Sequence, residues 1–534
     1  MSNKQKNASP EWPRWVQWMT ASRVWRSFFR HGWPTDRRNR SLVMTENVFF
    51  HLHSVKVSRK SLDPIYSMGL GIMSLVLFLI LGVTGVFEMF FYVPSVETAY
   101  NDIIAMQTDV AFGQLLRNIH RWAAHGMVIV VTLHMVRVFF TGAYKPPREF
   151  NWIMGVLLLL FTLLASFTGY LLPWDQLAFW AITVGTNIAG EAPVIGEAMR
   201  EMLLGGTEVG QPALIRFYTL HIAVIPLVML LILTIHLWRV RKDGGMAAID
   251  EEKSKKLAAA DAKRKGLPAP AADETDFTPA SDAKTFGLVA MMRGRSIQAD
   301  ADSGERIFTF PIVLMIELVI GLGTTLLMLF FAMIRDAPLE ELANPLVTTN
   351  PAKAPWYFMG LQELLEHMHP MMAGILLPGA LVTFLIVLPY IDSDKKGSGL
   401  WFTSLRGWQI TWTSTLYALI VMPLYIVMDD VYNFQEIFSD ISPISSTFFV
   451  QAIIPGVFLT FIAFVPALVL VGKHLLDRAN PEPITMRDVM LAVFTVMLVA
   501  AIVFTVVGFL FRGPNFELYW PWNFPDGYNP LDAL

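Results

Sequence analysis

Nine apolar runs, each about as long as a bilayer is thick, decide most of what this chain can fold into. They fall at roughly 66–93, 115–140, 152–172, 217–238, 307–334, 371–391, 408–428, 448–470 and 489–510. A helix of about 20 apolar residues spans ~30 Å of hydrocarbon. The pattern predicts an all-α polytopic membrane protein. A soluble chain of 534 residues would instead divide into several domains with polar surfaces. The net charge of −3 says little about such a protein, but the absence of cysteine says more. It excludes disulfides, Cys-ligated iron–sulfur clusters and thioether-linked haem within this chain. Residues 1–60 hold twelve Lys/Arg against three acids and no early apolar run, so no cleavable signal peptide is expected.

Basic residues mark alternate loops, which predicts the orientation. Loop 94–112 has no Lys or Arg and three acids, Glu97, Asp102 and Asp109. The next loop has Lys145 and Arg148, and 173–216 has two Arg against five acids. Residues 239–265 are crowded with Lys and Arg, 429–446 has four acids and no base, and 471–487 has Lys473, Arg478 and Arg487. The expectation is a bacterial cytoplasmic (inner) membrane protein with its N-terminus in the cytoplasm and its C-terminus outside.

The order of segments suggests six parts. Residues 1–60 form a cytoplasmic amphipathic N-terminal segment, with Trp12, Trp15, Trp18, Trp25 and Phe29 interleaved with Arg14, Arg23, Arg26 and Arg30. Residues 61–242 hold four spans. Residues 243–304 are polar and rich in Ala, Lys, Asp and Pro, and read as a cytoplasmic linker. A second helical block covers 305–392, additional membrane helices 393–511, and an outer-side tail 512–534. The last two spans read as contacts for extra subunits.

An ionisable residue inside a span is a functional-site hypothesis by default. His120 and His134, in "HRWAAHGMVIVVTLH", stand 14 apart. At 100° and 1.5 Å per residue they share a face to within ~40° and lie ~21 Å apart along the axis. His221 and His236 in the fourth span stand 15 apart, ~22 Å of rise and ~60° off register. The second and fourth spans run in the same direction, so His120 would meet His221 at the outer side and His134 would meet His236 at the inner side. Two opposed pairs in an apolar bundle predict two bis-histidine haems, carriers of electrons with no open iron position. Gly71 and Gly85, and Gly155 and Gly169, repeat the spacing of 14 on the spans without ligands, where a macrocycle needs close backbone approach. Arg117 and Arg137, three residues outside a ligand each, suit haem propionates. His125, ~140° from His120, reads as structural.

The segments "RNIHRW", "LHMVRVFFTGAYKPPREFNW", "TGYLLPWDQLAFWA", "PVIGEAMREMLLGG", "RFYTLH" and "APWYFMGLQELL" resemble the cytochrome b subunit of quinol:cytochrome c oxidoreductases (the cytochrome bc / bf complexes). The resemblance covers about 48–242 and 305–392. The first block looks most like the chloroplast type, whose second block is usually a separate chain; here the two are fused. The resemblance implies that quinol is oxidised near the outer face. One electron would pass to a Rieske iron–sulfur protein, the other through two b haems to a quinone site at the cytoplasmic side, contributing to proton motive force. It implies a cytochrome c or similar acceptor subunit, a homodimeric complex, membrane lipid and no nucleic acid as partners. The family's Pro-Glu-Trp-Tyr signature is Ala354, Pro355, Trp356 and Tyr357 here, so Pro355 replaces the glutamate held to accept a proton. Glu363 is the expected replacement, with Glu366 second; Tyr357 and Trp356 are carried over from the signature. Asp175, in "PWDQ", matches the segment over the outer quinol pocket. His367 and His369 read as outer-surface or subunit-contact residues. Arg241, with Lys242, matches a basic pair near the quinone-reduction site, where cations would steady a reduced quinone. Gly69 stands where the chloroplast type has its haem-bearing cysteine.

Two other functions fit intramembrane histidines. A dihaem anchor of a hydrogenase or formate dehydrogenase would lack the "PWDQ" and "PWY" segments and the second block. A proton-coupled transporter would be colourless.

Overall fold

The structure is a computed structural model that describes residues 14–23, 37–47, 50–247, 306–392, 398–433, 437, 449–476, 484–525 and 527–530. Nine helices among them are long and apolar enough to cross a membrane: Leu70–Glu88, Gly113–Phe140, Glu149–Tyr170, Gln211–Lys242, Thr309–Ile334, Met371–Ile391, Leu405–Tyr432, Gln451–Lys473 and Met486–Leu510. They are numbered first to ninth below. The chain is an all-α multi-pass membrane protein, apart from one short antiparallel ribbon. In that ribbon β1 (Lys56–Ser58) pairs with β2 (Arg306–Phe308), setting Val57 opposite Ile307. The ribbon joins the segment before the first span to the segment before the fifth. Of the amphipathic N-terminal stretch, Arg14–Ala21 is helical; residues 24–36 and the linker 248–305 lie outside the described residues.

Local chemistry sets several helix ends. Asp175 caps Gln176–Gly190 by accepting from Ala178 N, and Ser404 caps the seventh span. Thr485 and Asp488 form a capping box at the start of the ninth. The fourth span contains a π turn, Leu220–Val224, just before Pro226. Proline lacks the N–H a regular helix needs there, and the wider turn absorbs the loss. The consequence is geometric. One residue is taken up by the bulge, so the 15-residue interval between His221 and His236 acts as 14, the same as in the second span.

The first span packs on the second, the third on the fourth, and the fifth against the first two. The sixth leans on the third, and the short helix Trp356–His367 packs on the ninth. The second and third spans meet the ninth through an aromatic core where Phe139 stacks on Phe494 with ring centroids 3.8 Å apart. Trp152 Nε1 donates to Leu385 O at 2.6 Å, tying the third span to the sixth. The reading of the ninth span as a contact for other subunits needs correction: 56% of its most apolar stretch is buried within this chain, more than in any other of the nine, and it lies among the seventh, the eighth and Trp356–His367. The eighth, with 22% of its stretch buried, leaves most of its surface uncovered.

Candidate functional site

The second and fourth spans bring four histidines together in two pairs. His120 and His221 have ring centroids 6.3 Å apart; His134 and His236 have theirs 6.5 Å apart. Two metal–imidazole bonds of roughly 2 Å each plus two half-rings would fill such a gap. The tautomers fit as well. Thr84 Oγ1 donates to Ile80 O, so at 2.8 Å from His120 Nδ1 it accepts that nitrogen's proton. His221 Nδ1 lies 3.0 Å from Ala165 O, which can only accept. In both rings Nδ1 carries the hydrogen and Nε2 keeps its lone pair, the form a metal requires. No group of three or more His, Cys, Asp or Glu among the described residues could hold a bare metal ion. Each pair offers two donors, which suits an iron whose other ligands belong to a macrocycle.

The glycines differ between the two ends. A Cβ on Gly169 would lie 2.5 Å from the His221 ring, and one on Gly85 would lie 3.2 Å from His120. A Cβ on Gly71 or Gly155 would sit 3.6 or 3.8 Å from His134 or His236, ordinary contact. The glycine requirement is therefore steric at the His120 end and looser at the His134 end.

At the His120 end lies a cavity of about 190 Å³. The His120–His221 pair borders it, as do Tyr357, Tyr170, Asp175 and His125. Burial pushes the Tyr357 phenol up to about 12, so it stays a neutral donor. Asp175 is engaged at both oxygens, accepting from Ala178 N at 2.9 Å and Glu340 N at 3.1 Å. Arg117 also borders the cavity, but its guanidinium donates to Ala337 O and Pro338 O, both at 2.7 Å. Trp356 reaches across to the second span, where its Nε1 donates to His125 Nδ1 at 2.8 Å.

Glu363 is not in this cavity, which corrects its expected role there. Six residues beyond Tyr357, it sits roughly 240° around the helix and faces the ninth span and the tail. Arg512 Nη2 donates to it at 2.8 Å, and His367 Nε2 is 3.4 Å away. Arg512 also pairs with Asp430 at 2.8 Å, and His367 Nδ1 lies 2.6 Å from Asp429. Burial opposes the charge on Glu363, but His367 and Arg512 outweigh it and hold the carboxyl below its usual range. Burial likewise opposes charge on His367, yet Asp429 and Glu363 raise its pKa. His367 is thus an internal member of an ionic cluster, not a surface histidine.

Comparison with known proteins decides the family. Residues 54–244 match the model "Cytochrome b/b6/petB", and 342–449 match "Cytochrome b(C-terminal)/b6/petD". Cytochrome b6 of Prochlorococcus marinus (strain MIT 9515) is 43% identical over 175 residues, 33% of this chain and 80% of the relative. The protein of strain NATL1A is 44% identical over the same length. The chain belongs to the cytochrome b/b6 family. A solved structure titled "Hyperthermophilic respiratory Complex III" shares the fold of this chain. It has a TM-score of 0.53 at 23% identity and covers 85% of this chain and 99% of its own.

The cytochrome b family implies b-type haems. Arg137, at the His134 end, donates through Nε to Tyr66 O at 3.0 Å and lies over the Tyr66 ring. Arg241 sits past the end of the pair, its backbone carbonyl accepting from Ser54. Sequence reasoning passed over two cavity residues. Glu88 ends the first span and borders the cavity with a buried Oε1 that has no hydrogen-bond partner among the described residues. Arg121, directly after His120, borders it too. The one sequence signal for Glu88 was an acid at the end of an otherwise uncharged span.

Proposed function

We propose that this chain is the cytochrome b subunit of a quinol:cytochrome c oxidoreductase of the bc/b6f type, oxidising quinol in the cavity beside His120 and His221. The observation that carries the proposal is a single cavity bordered by both that histidine pair and Tyr357 of the signature segment. His120 with His221, and His134 with His236, would hold two b haems. When bound, these supply one-electron transfer from one end of the bundle to the other. Gly85 and Gly169, which border the cavity beside the His120 and His221 rings, would leave room there for the macrocycle, with the quinol on the Tyr357 side of the same cavity; Gly71 and Gly155 lie opposite the second pair. Arg117 and Arg121 supply positive charge beside the first.

The loop charges support placing the His120 end outside and the His134 end at the cytoplasm. A Rieske-type iron–sulfur protein would take one electron at the outer end, with a cytochrome c or similar acceptor beyond it, in a complex built as a homodimer. Arg241 and Lys242 would steady a reduced quinone at the other end.

Oxidising a quinol to quinone sends two electrons to one-electron acceptors and breaks two O–H bonds, so two protons must leave: one would go with the electron taken at the outer Rieske-type partner, and a base of this chain must take the other. Pro355 cannot, and Asp175 is already engaged at both carboxylate oxygens. Glu88 Oε1 is buried and has no partner among the described residues, and we assign the proton acceptor of this chain there. Tyr357 stays protonated and orients the ring. The purified complex, given a short-chain quinol, should reduce its b haems and an added cytochrome c. Absence of both reactions in a two-haem preparation would refute the reading.

A further inference from the structure

His125 stands five residues from His120 on the same span, and its tautomer is the opposite one. An indole nitrogen can only donate. Trp356 Nε1 donates to His125 Nδ1 at 2.8 Å, so that nitrogen holds the lone pair and the neutral ring carries its hydrogen on Nε2. Nε2 has no hydrogen-bond partner among the described residues, and the residue borders the cavity. Its orientation is fenced by rings: Trp122 at 5.7 Å, Trp356 at 6.2 Å, and Tyr357 edge-on at 6.0 Å. A donor locked by its neighbours before the ligand arrives binds without reorganisation.

We propose that His125 is a quinone-binding residue, donating its Nε2–H to a ring oxygen of the quinol or quinone in this cavity, with Trp356 as the positioning residue that fixes the tautomer. The inference rests on the functional reading above and deepens it. It also removes His125 as a base, since protonating the ring would require Nδ1, which the indole occupies. A haem carboxylate is the competing occupant. The bordering arginines, Arg117 and Arg121, answer that charge, while His125 lies ~140° around the helix from His120.

The test uses the intact complex and a short-chain quinol, with three variants: His125→Leu, His125→Gln and Trp356→Phe. One neutral hydrogen bond is worth a roughly two- to tenfold change in affinity. His125→Leu should raise KM within that range with kcat little changed, the pattern of lost binding common to ground and transition states. His125→Gln retains an N–H donor and should recover most of the KM. Trp356→Phe frees the tautomer and should raise KM by a smaller factor. An unchanged KM in a two-haem His125→Leu preparation would overturn the proposal. So would a KM for the Gln variant as high as that for Leu, or a shifted b-haem midpoint potential with KM unmoved, which would assign His125 to the haem. If the unsubstituted complex neither oxidises quinol nor yields quinone on extraction, the functional reading itself fails before any variant is compared.

Discussion

Two acids, Glu88 and Glu363, keep opposite company. Glu363 is fully buried and satisfied, held by Arg512 with His367 close by and tied through them to Asp429 and Asp430. Glu88 borders an open cavity with one buried oxygen unpaired. A satisfied buried ionic group costs desolvation that its partners repay, and breaking it is expensive. An unpaired one persists where something else is to bind or a proton is to move. The helix Trp356–His367 separates the two regions. Trp356 and Tyr357 face the cavity region, and Glu363 and His367 face the ninth span and the tail. Sequence neighbours six residues apart thus do different work.

The largest expected effect separates these carboxylates directly. Glu88→Gln should lower kcat for quinol oxidation by roughly 10²- to 10⁴-fold, the scale of a lost general base, while both haems remain bound. Glu363→Gln should leave quinol KM and the cavity chemistry in place; equal losses from both substitutions would erase the distinction. Next is Arg512→Ala. Removing one partner of a buried ion pair costs about 3–5 kcal/mol, so the thermal inactivation midpoint in detergent should fall sharply. An unchanged midpoint would mean the tail contributes nothing to holding the helix.

A smaller effect sharpens the contrast between the two ends of the bundle. Gly169→Ala forces a Cβ toward the His221 ring and should cost about 1–3 kcal/mol, seen as partial loss of one b haem. Gly71→Ala meets only ordinary contact and should retain both haems. The reverse order would contradict the packing described here.

The smallest effect is the pH dependence of the ionic cluster. The depressed carboxyl of Glu363 stabilises above its ordinary value of 4.5 and loses that stabilisation as pH falls through its lowered pKa. The raised imidazole of His367 stabilises fully below 6.5 and loses it as pH rises through its raised pKa. The cluster should be firmest between 4.5 and 6.5, with the inactivation midpoint declining toward alkaline pH. In His367→Gln that alkaline decline should flatten.

Much of the fold was legible because lipid demands long apolar helices. All nine runs became spans, with ends shifted by a few residues where caps such as Thr485 and Asp488 fixed them. The histidine pairing followed from spacing, but the ~60° misfit of the fourth span was resolved by a π turn that only Pro226 hinted at. Glu363 was misplaced because adjacency to the signature does not reveal which face of a helix a residue takes. His125 was set aside for lying off the histidine face, yet its partner Trp356 arrives from 231 positions away. The ninth span read as a contact for extra subunits because hydropathy does not distinguish a helix buried within its own chain from one exposed on the bundle's surface.

The central claim is that His120 with His221 and His134 with His236 each hold one b haem. The most direct test is a redox titration of reduced-minus-oxidised spectra on the purified complex, repeated with His120→Leu and His134→Leu. Two b-type transitions per chain are predicted, with a different one missing in each variant. A single transition in the unsubstituted protein, or the same one lost in both variants, would contradict the account.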